Sequence, residues 1–140
     1  MKHSTADLMS ALKDSESFDS FREQNQPDLV DSNVAKMLGE IIEQKGLSKS
    51  QIISDSQVNR VYAYQIFSGA KYSPNRDKLL ALLISMQLSL GEIQDFLKRN
   101  GYPALYARSE RDAMLIFCIE KGMSVIDINC ELFSHGKKTL

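Results

Sequence analysis

Tryptophan is absent from this chain, and cysteine and proline are scarce, with two and three residues in 140. Two cysteines, Cys118 and Cys130, cannot build a disulfide framework, and they lack the close pairing of a zinc site. A reducing compartment and no metal are therefore expected. No apolar run approaches the ~20 residues that cross a bilayer, and the opening stretch MKHSTADLMSALKD has acidic residues where a signal peptide has its apolar core. This predicts a cytoplasmic protein with no membrane partner. Catalytic groupings are missing too. His3 and His135 lie near opposite ends, in segments expected to fray, without a nucleophile at a useful spacing. The cysteines fall in apolar surroundings, where a thiol behaves as a small buried hydrophobe. Gly69-Ala70-Lys71 lacks the upstream glycine and following hydroxyl residue of a phosphate-binding loop. Neither an enzyme nor a cofactor is expected.

What is present is the composition of one globular domain, 43% hydrophobic and 25% charged. The net charge of −1 hides a polarised distribution. Residues 1–44 carry four basic and nine acidic side chains, whereas residues 45–80 carry Lys45, Lys49, Arg60, Lys71, Arg76 and Lys78 against only Asp55 and Asp77. Residues 81–140 are balanced. A basic segment within a neutral chain fits a compact anion-binding face, although six cations on a solvated surface would give the same count.

Strand signals are nearly absent, and the punctuation is that of short helices, so an all-α fold is expected. Ser48, Ser89, Ser109 and Ser124 each precede Gln, Glu or Asp by three positions, as in or near a capping box. Gly46, Gly69, Gly101, Gly122 and Gly136 stand where those helices should end. The resulting helices are 33–45, 48–55, 60–68, one opened by Ser73 and Pro74, 90–99, 109–121 and 124–134. Ala113 to Ile119 is apolar all round, so the last two should form a hairpin that packs on the preceding unit or makes a subunit interface. Residues 1–32 read as an acidic helical arm, with Leu8, Met9 and Leu12 lining one helix and Phe18 and Phe21 a second. The expected organisation is thus an arm at 1–32, a five-helix unit at 33–100, and a loop with a helical hairpin at 101–140.

The string GLSKSQIISDSQVNRVYAYQIFSGAKYSP, with VAKMLGEIIEQK before it and RDKLLALLISMQLSLGEIQDFL after it, resembles the XRE-type, phage-repressor-like helix-turn-helix family over residues 33–99. Ile52, Val58 and Ile66 match its core positions, and Gly69 ends its recognition helix. Three positions depart from it: Ile53 stands where alanine is favoured, Ser56 where leucine is usual, and Gln57 where the turn has glycine. A left-handed Gln57 would cost on the order of 1 kcal/mol. The stretch GYPALYARSERDAMLIFCIEKGMSVIDINCELF is similar to an extension found in a bacterial subgroup of such proteins.

The resemblance implies sequence-specific binding of double-stranded DNA in transcription regulation. Asn59 is a natural N-cap for the second helix of the pair, which puts Arg60, Val61 and Tyr62 in its first turn and Gln65 about one turn on. These are the expected base-reading residues: arginine pairs with guanine, glutamine with adenine, and valine meets a thymine methyl. Lys49, Asn59, Lys71, Tyr72, Asn75 and Arg76 are expected at phosphates. Tyr62 and Tyr64 could instead be half-buried packing residues, the role favoured for Tyr64. Such modules usually bind as homodimers, here with Met114, Phe117, Ile128 and Leu132 as the expected contact. The alternative is a protein-interaction module that keeps this helical shape and docks a protein partner.

Overall fold

The computed structural model describes residues 4–15, 17, 18, 33–71 and 73–140. The described residues hold eight helices and no strand: α1 (Thr5–Asp14), α2 (Val34–Lys45), α3 (Lys49–Ser56), α4 (Arg60–Ser68), α5 (Arg76–Ser85), α6 (Leu90–Arg99), α7 (Glu110–Glu120) and α8 (Val125–Ser134). The chain divides into two compact units, Met1–Asp31 and Ser32–Leu140.

In the first unit, Ser4 and Asp7 close a reciprocal capping box at the start of α1. No residue of α1 is buried, and Met9 and Leu12 are exposed. The expected second arm helix lies largely outside the described residues.

In the second unit, local chemistry sets nearly every boundary. Asn33, Ser48, Asn59, Ser89, Ser109 and Ser124 each accept a backbone N–H three residues on, relieving donors that a helix start leaves unpaired. Only Ser89 closes a full box in this unit, with Glu92; the hydrogen bond from the Ser89 backbone N–H, with the nearby Lys45, helps hold that carboxyl below its ordinary range. All five glycines anticipated as stops have positive φ. One start differs from expectation. Asn75, not the Ser73–Pro74 pair, caps α5, its Oδ1 accepting from the Asp77 and Lys78 N–H groups. A side-chain acceptor satisfies two donors at once, which a proline at the first helical position cannot do.

α5 is the central post, with Leu79 to Ile84 all buried, and it packs against α3, α6 and α8. α2 packs on α4. The core continues past residue 100 without a break, taking in Leu105, Leu115, Cys118, Val125, Ile128 and Leu132. The C-terminal hairpin therefore packs on its own chain, α7 against α6 and α8 against α3 and α5. Polar clamps fix the loop between α6 and α7. The Gln94 amide donates to Leu105 O at 2.9 Å and accepts from Leu105 N at 2.7 Å, and the Tyr102 hydroxyl donates to Pro74 O.

Three expectations about the hairpin are corrected. Ile128 and Leu132 are fully buried in the core, so neither is available to a second copy, while Phe117, Ile126 and Phe133 are exposed. Cys130 is exposed, unlike Cys118, because it lies off the Val125–Ile128–Leu132 stripe of α8. His135 is not frayed: it caps α8, and its Nδ1 lies 2.9 Å from Glu131 O.

Candidate nucleic-acid interface

α3 and α4 are joined by Gln57, Val58 and Asn59, and the join is closed by side-chain chemistry. Gln57 has φ 62°, as the sequence anticipates for a left-handed turn. Ser56 is 1% exposed; its hydroxyl donates to Ile53 O at 2.7 Å and accepts from Val58 N at 3.1 Å. A leucine here would leave the Val58 N–H unpaired in a buried turn, so serine and the left-handed Gln57 act together. Ile53 is buried within the core that also holds the α8 residues.

Periodicity sorts the residues of α4. Ala63 and Ile66 point inward, Val61, Tyr64, Gln65 and Ser68 point away from them, and Tyr62 and Phe67 lie on the two flanks. Val61 is 66% exposed, a large value for a valine on a packed helix. Each aromatic ring of α4 carries a cation. Lys49 Nζ sits 5.4 Å from the Phe67 ring on one flank, Lys71 Nζ sits 5.3 Å from the Tyr62 ring on the other, and the Arg60 guanidinium sits 5.7 Å from the Tyr64 ring on the outer side. Such contacts contribute about 0.5–1 kcal/mol each at exposed sites, and they hold long side chains without neutralising them. Among the described residues no carboxylate pairs with Lys49, Arg60 or Lys71.

Lys49 is the first residue of α3 and Arg60 the first of α4, so each cation stands beside backbone N–H groups at a helix start. The Lys71 backbone N–H is fixed by Gln65 O at 3.0 Å. No protein-family model, curated protein or solved structure matches the chain. The site is therefore argued from its own residues.

Other anticipated residues have different occupations. Asn59 and Asn75 spend their side-chain oxygens on capping α4 and α5. Tyr62 is half-buried, and its hydroxyl accepts from Asn75 N at 3.0 Å, so it joins α4 to the start of α5. Tyr64, expected to be a packing residue, is exposed. Tyr72 lies outside the described residues.

Arg76 departs furthest from its expected role. Its guanidinium makes a bidentate pair with Asp112 at the start of α7, at 2.9 and 3.3 Å. Asp112 also accepts from Tyr106 N at 2.9 Å. Burial pushes the Asp112 carboxyl up, but Arg76, the Tyr106 N–H and nearby Arg111 outweigh it and hold the group below its ordinary range. A second pair runs the opposite way: Arg111 binds Asp77 at 3.0 and 3.1 Å, and its Nε donates to Lys138 O at 2.9 Å. Two Arg-Asp dipeptides, 76–77 and 111–112, thus exchange partners and bolt α7 to the start of α5. The repeated dipeptide near two helix starts was the one sequence signal that could have disclosed this clamp. Lys49, Arg60 and Lys71 remain as the free cations around α4.

Proposed function

We propose that this chain is a sequence-specific DNA-binding regulator of transcription of the XRE-like class, a binding module and not an enzyme. α3 braces on the phosphate backbone and α4 enters the major groove by its N-terminal end. The observation that carries this reading is the outer face of α4, flanked by Lys49 and Lys71 and crossed by Arg60, with no carboxylate paired to any of the three among the described residues. Arg60 and Gln65 read bases by paired hydrogen bonds, Val61 meets a thymine methyl, and Lys49 and Lys71 neutralise phosphates. Arg76 is given up as a phosphate ligand, because its charge is already spent on Asp112. The protein acts as a homodimer on paired half-sites.

Exposed Val61 and Tyr64 give the protein-docking alternative its own support, since apolar surface on α4 suits a protein partner. Selection of bound sequences from a random duplex pool separates the two. An enriched motif is expected, with a log–log salt slope of roughly −4 to −8. Arg60→Ala and Gln65→Ala should each weaken the selected site by about 1–3 kcal/mol and relax selectivity at particular bases. Lys49→Ala and Lys71→Ala should weaken all sequences alike and flatten the slope by about one unit each. A pool with no enrichment at low salt would overturn the DNA reading in favour of a protein partner.

A further inference from the structure

The largest cleft described in this unit lies away from the outer face of α4. It encloses about 790 Å³ between the end of α3 and its turn (Ser54, Asp55, Gln57), the α5–α6 turn (Ser85, Gln87) and the α7–α8 turn (Glu120, Ser124). Ile84, Leu88, Ile119, Met123, Val125 and Ile126 give it an apolar lining, and Ile126 is 54% exposed. This combination of an apolar lining, a few polar groups and ligand-sized volume is the usual composition of a small-molecule site.

Its electrostatics have one sign. Asp55 and Glu120 are the charged side chains in the lining, with no lysine, arginine or histidine among them. The C-terminal ends of three helices, α3, α5 and α7, converge there, against the N-terminal end of α8 alone. A helix C-terminus presents carbonyls without intrahelical partners and about half a negative charge. Two carboxylates and a net excess of helix C-termini therefore favour a cation, and the apolar lining favours one with a hydrocarbon body. Among the described residues, the two non-glycine positions with positive φ, Gln57 and Gln87, both line this cleft.

We infer that this cleft binds an amphipathic organic cation, an ammonium group on an apolar body, with Asp55 and Glu120 facing the charge. Gln57 belongs both to the cleft and to the turn that leads into Asn59, the cap of α4. Occupancy therefore bears directly on the join between α3 and α4. The site itself does not rest on the DNA reading, because it can be tested without DNA.

The test is a ¹⁵N-edited NMR titration of the full chain with three probes that share one body: 4-phenylbutylamine, 4-phenylbutanol and 4-phenylbutyrate. The amine should give saturable shifts at the amides of Gln57, Gln87, Ser124 and Ile126, while the alcohol binds about tenfold more weakly or worse and the carboxylate gives no saturation. The double variant Asp55→Asn with Glu120→Gln should lose about tenfold in amine affinity, and the control Glu43→Gln, on α2, should lose none. An amine that produces no saturable shifts overturns the inference. So does equal binding of the three probes, a comparison made on the natural chain that needs no folded variant.

Discussion

At the residue scale, what a side chain can do depended on partners far away in sequence. Asn59, Lys49 and Arg60 were legible because their roles follow from position at a helix start, a local property. Arg76 was not, because its partner Asp112 is 36 positions on and no local pattern announces the pairing. The same clamp makes stability depend on pH, with a sign that follows from Asp112. Its carboxyl is held below the ordinary value in the folded chain, so the clamp contributes fully above the unfolded value of about 4. That contribution fades as pH falls through the folded value. Asp112→Asn should cost on the order of 2 kcal/mol at pH 7, the scale of a charge-assisted hydrogen bond, and progressively less below about pH 4. Urea denaturation of both chains at pH 7, 5 and 3 would check this. A difference that stays constant across the range would show that the carboxylate charge is not what holds α7 to α5.

At the element scale, helix ends were the most legible feature, because caps are local and glycine's left-handed freedom leaves a mark at each stop. The start of α5 was misplaced by a competition between two adjacent signals, Pro74 and Asn75, which the backbone donors of Asp77 and Lys78 resolve in favour of the asparagine. The turn between α3 and α4 shows how a departure from a family pattern can be internally compensated. The Ser56 hydroxyl supplies both an acceptor for Val58 N and a donor to Ile53 O, and the Gln57 side chain adds a donor to Ser54 O at 3.1 Å. Ser56→Ala should therefore destabilise by about 1–3 kcal/mol, since it leaves the buried Val58 N–H unpaired. Gln57→Gly should stabilise by up to about 1 kcal/mol by removing left-handed strain, less whatever its amide contributes at Ser54 O. Chemical denaturation of each variant measures both signs. A stabilised Ser56→Ala would mean that the turn is not closed by the hydroxyl.

At the scale of the whole molecule, the all-helical fold and the course of its helices were readable because amphipathic spacing and caps repeat along the chain. Which hairpin face turned inward was not readable. Ala113 to Ile119 is apolar all round, so α7 offers no stripe from which to choose, and the α8 stripe shows its direction only once α3 and α5 lie beneath it. Burial of Ile128 and Leu132 moves the expected self-association surface outward, to Phe117, Ile126 and Phe133, the last 79% exposed. A homodimer on paired half-sites needs apolar area that the monomer leaves uncovered, and these three side chains supply it. Sedimentation equilibrium should show a monomer–dimer equilibrium at micromolar concentrations. Phe133→Glu and Ile126→Glu should shift it to monomer with little change in unfolding midpoint, since neither side chain contributes to the buried core. Ile128→Glu should instead unfold the chain, because an unpaired carboxylate would replace a fully buried isoleucine. A natural chain that remains monomeric well above micromolar concentration would remove the dimer while leaving α4 and its three cations to act on a single half-site.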